Sequence, residues 1–305
     1  MTTIFFIVDG PVLEAQAALL AATLRHHNGK RFHLIAYVPD RHREQMNPDL
    51  AAFLLGSGVE MRRLSMPLSV WTKPYPHGNK ILAAADRRGP GHALFLDTDM
   101  ICTAPLDLVG LMRTGAIAMV PEGKPTWGKD IANWQRVYDH FSLALPQDRV
   151  TLSRGKRREF LPYFNAGMIL FAEGPLAQGR GFGDLWLDTA LAIDHAVPVA
   201  EKRPWLDQIS LPVTLKRFGL DYVLAPEALN FSTARRAETG SDVVAMMHYH
   251  RFGYLADWPR HQAAAFAQTR QLAGEMMFDR LETAYGAYWY LPPAIDQADS
   301  ELLIA

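Results

Sequence analysis

Two carboxylates, Asp97 and Asp99, close the apolar run His92 to Leu96 and are followed at once by Met100 and Ile101, within the segment GHALFLDTDMICTAPLDL. Paired acids that repel each other and lose hydration at the end of a hydrophobic strand call for positive charge. On an extended backbone, side chains two residues apart share one face. Two such carboxylates supply oxygen ligands for a hard divalent cation. The local alternative is that either aspartate caps a turn or the next helix, since an isolated Asp-x-Asp is a weak signal in 305 residues.

The surrounding elements give the pair a setting. TIFFIVDG is a continuous apolar run ended by Asp9-Gly10, the pattern of a strand buried on both faces. EAQAALLAATLRHHN has helical spacing, FHLIAYVPD reads as a second buried strand, and MNPDLAAFLLGSG as a short helix stopped by glycines. VEMRRL alternates as a strand, and GNKILAAADRR is a helix leading through Gly-Pro-Gly into HALFLDTD. This β-α-β-α-β-α-β order predicts an α/β fold with a mostly parallel sheet and helices on both faces. Ligands bind at the carboxyl ends of the strands in such sheets, where Asp9, Asp97 and Asp99 lie.

Beyond about residue 120 the regularity falls. The polar stretch Glu122 to Pro162 predicts a helix from Ile131 to Leu145 and a mobile loop with a basic cluster, Arg154 to Arg158. YFNAGMILFA predicts a strand, DLWLDTALAIDHA and WLDQISLPVTLKRFG helices, and LDYVLAP and DVVAMMHYH further strands. The last fifty residues predict a helical tail. The expected organisation is a main domain over residues 1–260 and a helical extension over 261–305 packed on it.

Composition narrows the classes. With 49% hydrophobic and 21% charged residues the chain is globular, and a formal net charge of −1 gives no whole-protein field favouring nucleic acid. The single cysteine, Cys102, excludes an intrachain disulfide and a thiolate-rich metal centre. MTTIFFIVDGP is too short for a membrane span and lacks the basic start and cleavage site of a signal peptide, so a cytoplasmic protein is expected. In the tail, Tyr285, Tyr288 and Tyr290 are expected to cover an apolar edge or to contact a second copy in a homo-oligomer.

Two families place Asp-x-Asp after a strand. The haloacid-dehalogenase type of phosphatase requires Thr or Ser two residues beyond the second Asp, where this chain has Ile101. The other fits far more of the sequence. LFLDTDMICTAPLDL resembles the Asp-x-Asp segment of GT-A glycosyltransferases, closest to the retaining family of glycogenin and the lipopolysaccharide galactosyltransferases. GNKILAA, YFNAGMILF, WLDQISL, LAPEALNF and HYHRFGYLADW resemble further motifs of that family in its order, over roughly residues 1 to 260.

The resemblance implies a GT-A (Rossmann-like) fold and a hexosyl transfer with retention from a nucleotide-sugar, in particular a UDP-sugar, to a glycan, lipid or protein acceptor. It implies Mn2+ (or Mg2+) held by Asp97, Asp99 and His250, the histidine selected by the spacing His250-x-x-Gly253 with Trp258 in register. His248 is assigned to packing or surface. The implied donor-binding residues are Asp9, Lys80, Asp97, Thr98, Asn165, Ala166, Gly167 and Gly253, and the implied catalytic pair is Asp207 and Gln208. The departure is at the closing motif, where the family's diphosphate lysine falls on Ala256 and its proline on Asp257; Arg251, Arg260 or the Arg154–Arg158 cluster are the candidate replacements. A non-catalytic nucleotide-sugar or glycan-binding protein on the same scaffold is the competing expectation.

Overall fold

The computed structural model describes residues 2–65, 68–154, 157–239 and 244–294. The first half follows the expected alternation: β1 (Thr2–Ile7), α1 (Pro11–Asn28), β2 (His33–Pro39), a short α2 (Asp40–Arg43), α3 (Pro48–Gly56), β3 (Val59–Leu64), α4 (Asn79–Ala84) and β4 (His92–Leu96). Then come β5 (Met100–Cys102), β6 (Ala116–Pro121), α5 (Ile131–His140), the hairpin β7 (Val150–Thr151) and β8 (Glu159–Phe160), and β9 (Phe164–Ala172). The remainder is α6 (Phe182–Ala196), α7 (Leu206–Phe218), β10 (Asp221–Leu224), β11 (Phe231–Ser232), β12 (Met246–His248), α8 (Phe252–Ala256), α9 (Pro259–Ala273) and α10 (Glu275–Trp289).

Seven strands form one sheet in the order β10-β6-β9-β4-β1-β2-β3. All neighbours run parallel except β9, which is antiparallel to both β4 and β6. A small second sheet, β11-β12-β5, stands beside it, with β12 antiparallel to β5. The alternation along β1 explains the layers. Ile4, Phe6 and Val8 face α1, α3, α9 and α10, whereas Phe5 and Ile7 face the side covered by α4, α6 and α7. Both faces are apolar because both carry helices. Among the described residues no helix is long and apolar enough to cross a membrane.

The differences from the sequence-based expectation are local. The helix at Ile131 ends at His140 rather than at Leu145, because Ser142 turns to a positive φ and the chain heads toward Pro146. The tail is two helices, broken at Gly274 with φ 77°. β6, which has a plain apolar pattern, was not anticipated. The start of the strand expected at Asp242 and Val243, part of the Arg154–Arg158 cluster, and the chain beyond residue 294 lie outside the described residues.

Two features set the site's frame. At Gly10, φ 96° lets β1 turn directly into α1, whose first residue is Pro11, so Asp9 is left at the strand's end. At Gly183, α6 lies against α4 so closely that a Cβ would come within 1.9 Å of the Ala84 carbonyl oxygen. Replacing Gly183 by Ala therefore forces α4 off the sheet. The expected outcome for Gly183→Ala is a loss of about 1–3 kcal/mol, read as a lower urea midpoint at unchanged slope.

Candidate active site

A cleft of ≈ 290 Å³ opens at the carboxyl ends of β4 and β6 and the N-terminus of β9, lined among others by Lys80, Asp97, Asp99, Asp207, Gln208 and His248. Its centre is a buried ammonium. Lys80 projects from α4 and reaches Asp97 Oδ1 at 2.8 Å and Asp207 Oδ2 at 3.1 Å, with the Ala166 carbonyl at 3.4 Å. Burial works against the charge, but Asp97 and then Asp207 outweigh it and hold the Lys80 pKa above the ordinary lysine value. Burial pushes the Asp97 carboxyl up; Lys80 opposes this and the nearby Asp99 adds to it.

Asp207 occupies the first turn of α7, where a carboxylate suits the positive end of the helix. Its Oδ1 accepts from the Gln208 N–H at 2.9 Å and from the Tyr75 hydroxyl at 3.2 Å, while that hydroxyl also donates to the Pro204 carbonyl at 2.6 Å. Gln208 is buried, not solvent-facing, and its Oε1 accepts from Thr126 Oγ1 at 3.4 Å.

On the other side of the cleft, Asp99, His248 and His250 bring ligand atoms within 4.8 Å of one another. His248 Nε2 lies 3.1 Å from Asp99 Oδ1, and the two imidazoles are 3.9 Å apart, centroid to centroid. The expected strand ends at His248; the Tyr249 N–H still bonds the Asp99 carbonyl at 2.9 Å, and His250 then takes φ 57°. The rings converge because the backbone turns, not because they alternate along a strand. Burial, then the neighbouring His248, lowers the His250 pKa to about 3, leaving a neutral imidazole whose Nε2 lies 2.8 Å from Ser232 Oγ. Burial opposes charge on His248, yet Asp99 raises its pKa; the same contact lowers that of Asp99 against burial.

A chain of amides fixes His248. Its Nδ1 meets Asn230 Oδ1 at 2.8 Å, Asn230 Nδ2 donates to Asn165 Oδ1 at 2.8 Å, and Asn165 Nδ2 donates to Glu122 Oε2 at 3.0 Å. The Asn165 oxygen also accepts from the Gly167 N–H at 2.9 Å. Gly167 has a physical reason to be glycine, since a Cβ there would stand 2.7 Å from His248 Cε1.

The sequence-derived candidates thus fall into three groups. Lys80, Asp97, Asp99, Asn165, Ala166, Gly167, Asp207, Gln208 and His250 all line the main cleft. Asp9 and Thr98 line a smaller adjoining hollow of ≈ 130 Å³ that shares His77, Lys80 and Asp97 with it. Asp9 accepts from Asn79 Nδ2 at 2.9 Å and pairs with Arg41, and Thr98 Oγ1 turns to Gln16 on α1. Gly253 stands apart: it opens α8 and packs against Pro292 and Ala294 from the tail, because the extra turn at His250 carries the closing segment away from the cleft. Asp97 is likewise separated from the convergent trio, its carboxylate being taken by Lys80. Trp205 lines the cleft, whereas Trp127, Trp134 and Trp258 are core residues.

Two cleft residues, His248 and Glu122, escaped the sequence, and a third, Arg154, was named there only as one of a cluster. His248 was assigned to packing or surface, because the spacing to Gly253 and Trp258 selects His250. Glu122 ends β6 and is buried beside Gln208, with its pKa raised by burial. The pattern AIAMVPEG, an apolar run ending in an acid, is the same signal that marked Asp97, so it was available. Arg154 lines the cleft and bonds Ser232 Oγ at 3.2 Å and the Ala234 carbonyl. Of the other candidate cations, Arg251 lies over the Tyr254 ring and Arg260 pairs with Glu238.

Removing the buried ammonium would leave two carboxylates facing each other. Lys80→Met is expected to cost about 3–5 kcal/mol at neutral pH, as for one partner lost from a buried pair. In that variant the Asp97 carboxyl, already raised by burial, would lose the ammonium that opposes the rise, so its folded-state pKa would lie above its unfolded value and stability falls as pH rises. Urea denaturation at neutral and mildly acidic pH should therefore show a smaller deficit in acid.

Comparison with known proteins follows this geometry. A family model described as a Rhodobacterales glycosyltransferase domain matches residues 4–219. No curated protein matches the sequence. Among solved structures, galactosyltransferase LgtC with donor and acceptor sugar analogues aligns with a TM-score of 0.52 at 15% identity, covering 96% of this chain and 98% of that one. The apo form of mouse xyloside xylosyltransferase 1 aligns with a TM-score of 0.50 at 14% identity, covering 82% and 98%. The bifunctional glycosyltransferase WbbM aligns with a TM-score of 0.51 at 12% identity, covering 92% of this chain and 51% of that one. At such identities the likeness establishes the fold, which is GT-A.

Proposed function

The chain belongs to the Rhodobacterales glycosyltransferase domain family, and we propose that it moves a sugar from a UDP-sugar to an acceptor with retention, with a divalent cation bound beside Asp99. The observation that carries this reading is the convergence of Asp99, His248 and His250 in the same cleft as Asp207 and Gln208. One carboxylate and two imidazoles, one of them held neutral, fit Mn2+ better than Mg2+, which prefers oxygen alone. When bound, such a cation would neutralise the charge of a departing diphosphate. The residues that would hold it are Asp99, His248 and His250, with Asp97 as the acid across the cleft. We take residues 1–260 as the transferase domain and 261–305 as its extension.

The remaining roles belong to the protein's own groups. Asp9 and Asn79, in the adjoining hollow, suit the hydroxyls and ring edges of a nucleoside. Arg154 offers a fixed positive charge near the diphosphate, the contribution missing at Ala256. Lys80 holds Asp207 in place, and Asp207 is positioned for sugar hydroxyls. Gln208 stabilises positive charge as the anomeric C–O bond to phosphate breaks and the acceptor oxygen bonds the same face. The departing phosphate oxygen accepts the acceptor's proton, so no strong enzyme base is required. Glu122, beside Gln208 and across from Thr126, is placed to hydrogen-bond the acceptor.

Calorimetric titration of UDP, GDP and ADP, each with and without Mn2+, tests the donor site. Metal-dependent binding of UDP that is lost in Asp99→Ala is the expected result, and no nucleotide binding under any condition would overturn the reading. With a turnover assay established, Gln208→Ala should lower kcat by about 10²–10³-fold while leaving UDP binding intact.

A further inference from the structure

Next to the main cleft lies a second hollow of ≈ 450 Å³ with an unusual lining: Lys124, Lys129, Arg154 and Arg158, over a floor that includes Pro125 and Leu152. Among the described residues no carboxylate lines it. The two cavities adjoin, sharing Gly123, Lys124, Thr126 and Arg154 in their walls.

The chain builds this hollow deliberately. The segment leading out of β7 is fastened to the end of β6 by the Ser153 N–H bonding the Glu122 carbonyl at 3.0 Å and the Arg154 N–H bonding the Gly123 carbonyl at 3.1 Å. Gly123 lets the Arg154 stem lie directly on the backbone, since a Cβ there would stand 2.7 Å from Arg154 Cδ. The cations therefore come from two segments brought side by side.

Their charges are only partly compensated. Arg154 bonds only a neutral hydroxyl and a carbonyl; Arg236 repels it, while Glu122 and Glu227 attract it. Among the described residues no carboxylate lies within 4.0 Å of the Lys124, Lys129 or Arg158 charge, and Arg158 lies over the Phe160 ring. Asp130, next to Lys129 in the chain, caps α5, and neither it nor Glu159 is among the lining residues. A row of like charges held together without acids is costly unless an anion joins them.

We propose that this hollow is the acceptor subsite and that the acceptor is an anionic glycan, carrying a carboxylate or phosphate that Lys124, Lys129 and Arg158 engage while its reacting hydroxyl reaches Glu122 and Gln208. The proposal rests on the transferase reading and adds the substrate class. Guanidinium and ammonium groups bind either oxyanion through charge-assisted hydrogen bonds, and the apolar floor suits the face of a pyranose ring.

The test uses the full chain and two matched probe pairs: trigalacturonate against its methyl ester, and glucose 6-phosphate against glucose. Binding is measured by calorimetry in the presence of UDP and Mn2+, on wild type and on Lys129→Ala/Arg158→Ala, a double variant of exposed residues outside the main cleft. Wild type should favour at least one charged probe over its neutral counterpart by about tenfold or more, and added salt should erode that preference. The double variant should lose the preference while binding UDP as wild type does. A preference for galacturonate alone assigns a carboxylate, and one for the phosphorylated sugar alone a phosphate; both support the subsite. Equal binding of charged and neutral probes, or a preference that survives in the double variant, overturns it. Failure of the donor reading is seen separately, as absent UDP binding in wild type.

Discussion

A buried lysine holds this site together. Lys80 is 6% exposed and ties α4 to the end of β4 through Asp97 and to the start of α7 through Asp207. Two successive elements and a third far later in the chain thus meet at one charge. In a low-dielectric cleft the arrangement is all or nothing, since each partner is tolerable only while the others remain. The closeness of α6 to α4 at Gly183 and the Tyr75 hydroxyl at Asp207 keep the three ends in register. The geometry of Gln208, one residue along α7, follows from the same anchor.

The opposite wall is held by neutral groups instead. The run from Glu122 through Asn165 and Asn230 to His248 uses amides as relays, each donating one way and accepting the other. It fixes the imidazole that faces Asp99 without placing another full charge beside it. Gly167 is the steric condition for this wall, because only a residue without a Cβ lets β9 pass so near the ring. The cleft therefore has a charged anchor on one side and a hydrogen-bonded, orientable ligand set on the other.

Much of this was legible in the amino-acid order. Buried parallel strands announce themselves as apolar runs, and their ends are marked by Asp9, Asp97 and the Asn165–Gly167 segment; Asp207-Gln208 follows a helix start. What was not legible depends on backbone turns and distant neighbours. Counting residues selects His250 over His248 on an extended strand, but a left-handed residue at 250 brings both rings to Asp99. Counting likewise keeps Gly253 in the site, whereas the same turn carries it against the tail. Asp97 reads as the twin of Asp99 until Lys80, seventeen residues earlier, is seen to claim it. Glu122 went unmarked because the strand before it was passed over, and Arg154 stood only as one of a basic cluster because its surroundings look like a solvated loop.

The tail bears on how the molecule comes into being. Trp289 Nε1 bonds the Ala15 carbonyl at 3.0 Å, and the Tyr285 hydroxyl meets Glu14, which also holds His42 at 2.6 Å. Helix α1 is thus closed by α10, while its other flank packs on β5 and α3. Contacts as distant in sequence as those of Glu14 and Ala15 with α10 form slowly, so this flank of α1 is sealed after its local packing is in place. The Tyr285 hydroxyl, locked in that closing contact, is spent on completing the fold and is withdrawn from chemistry at the surface.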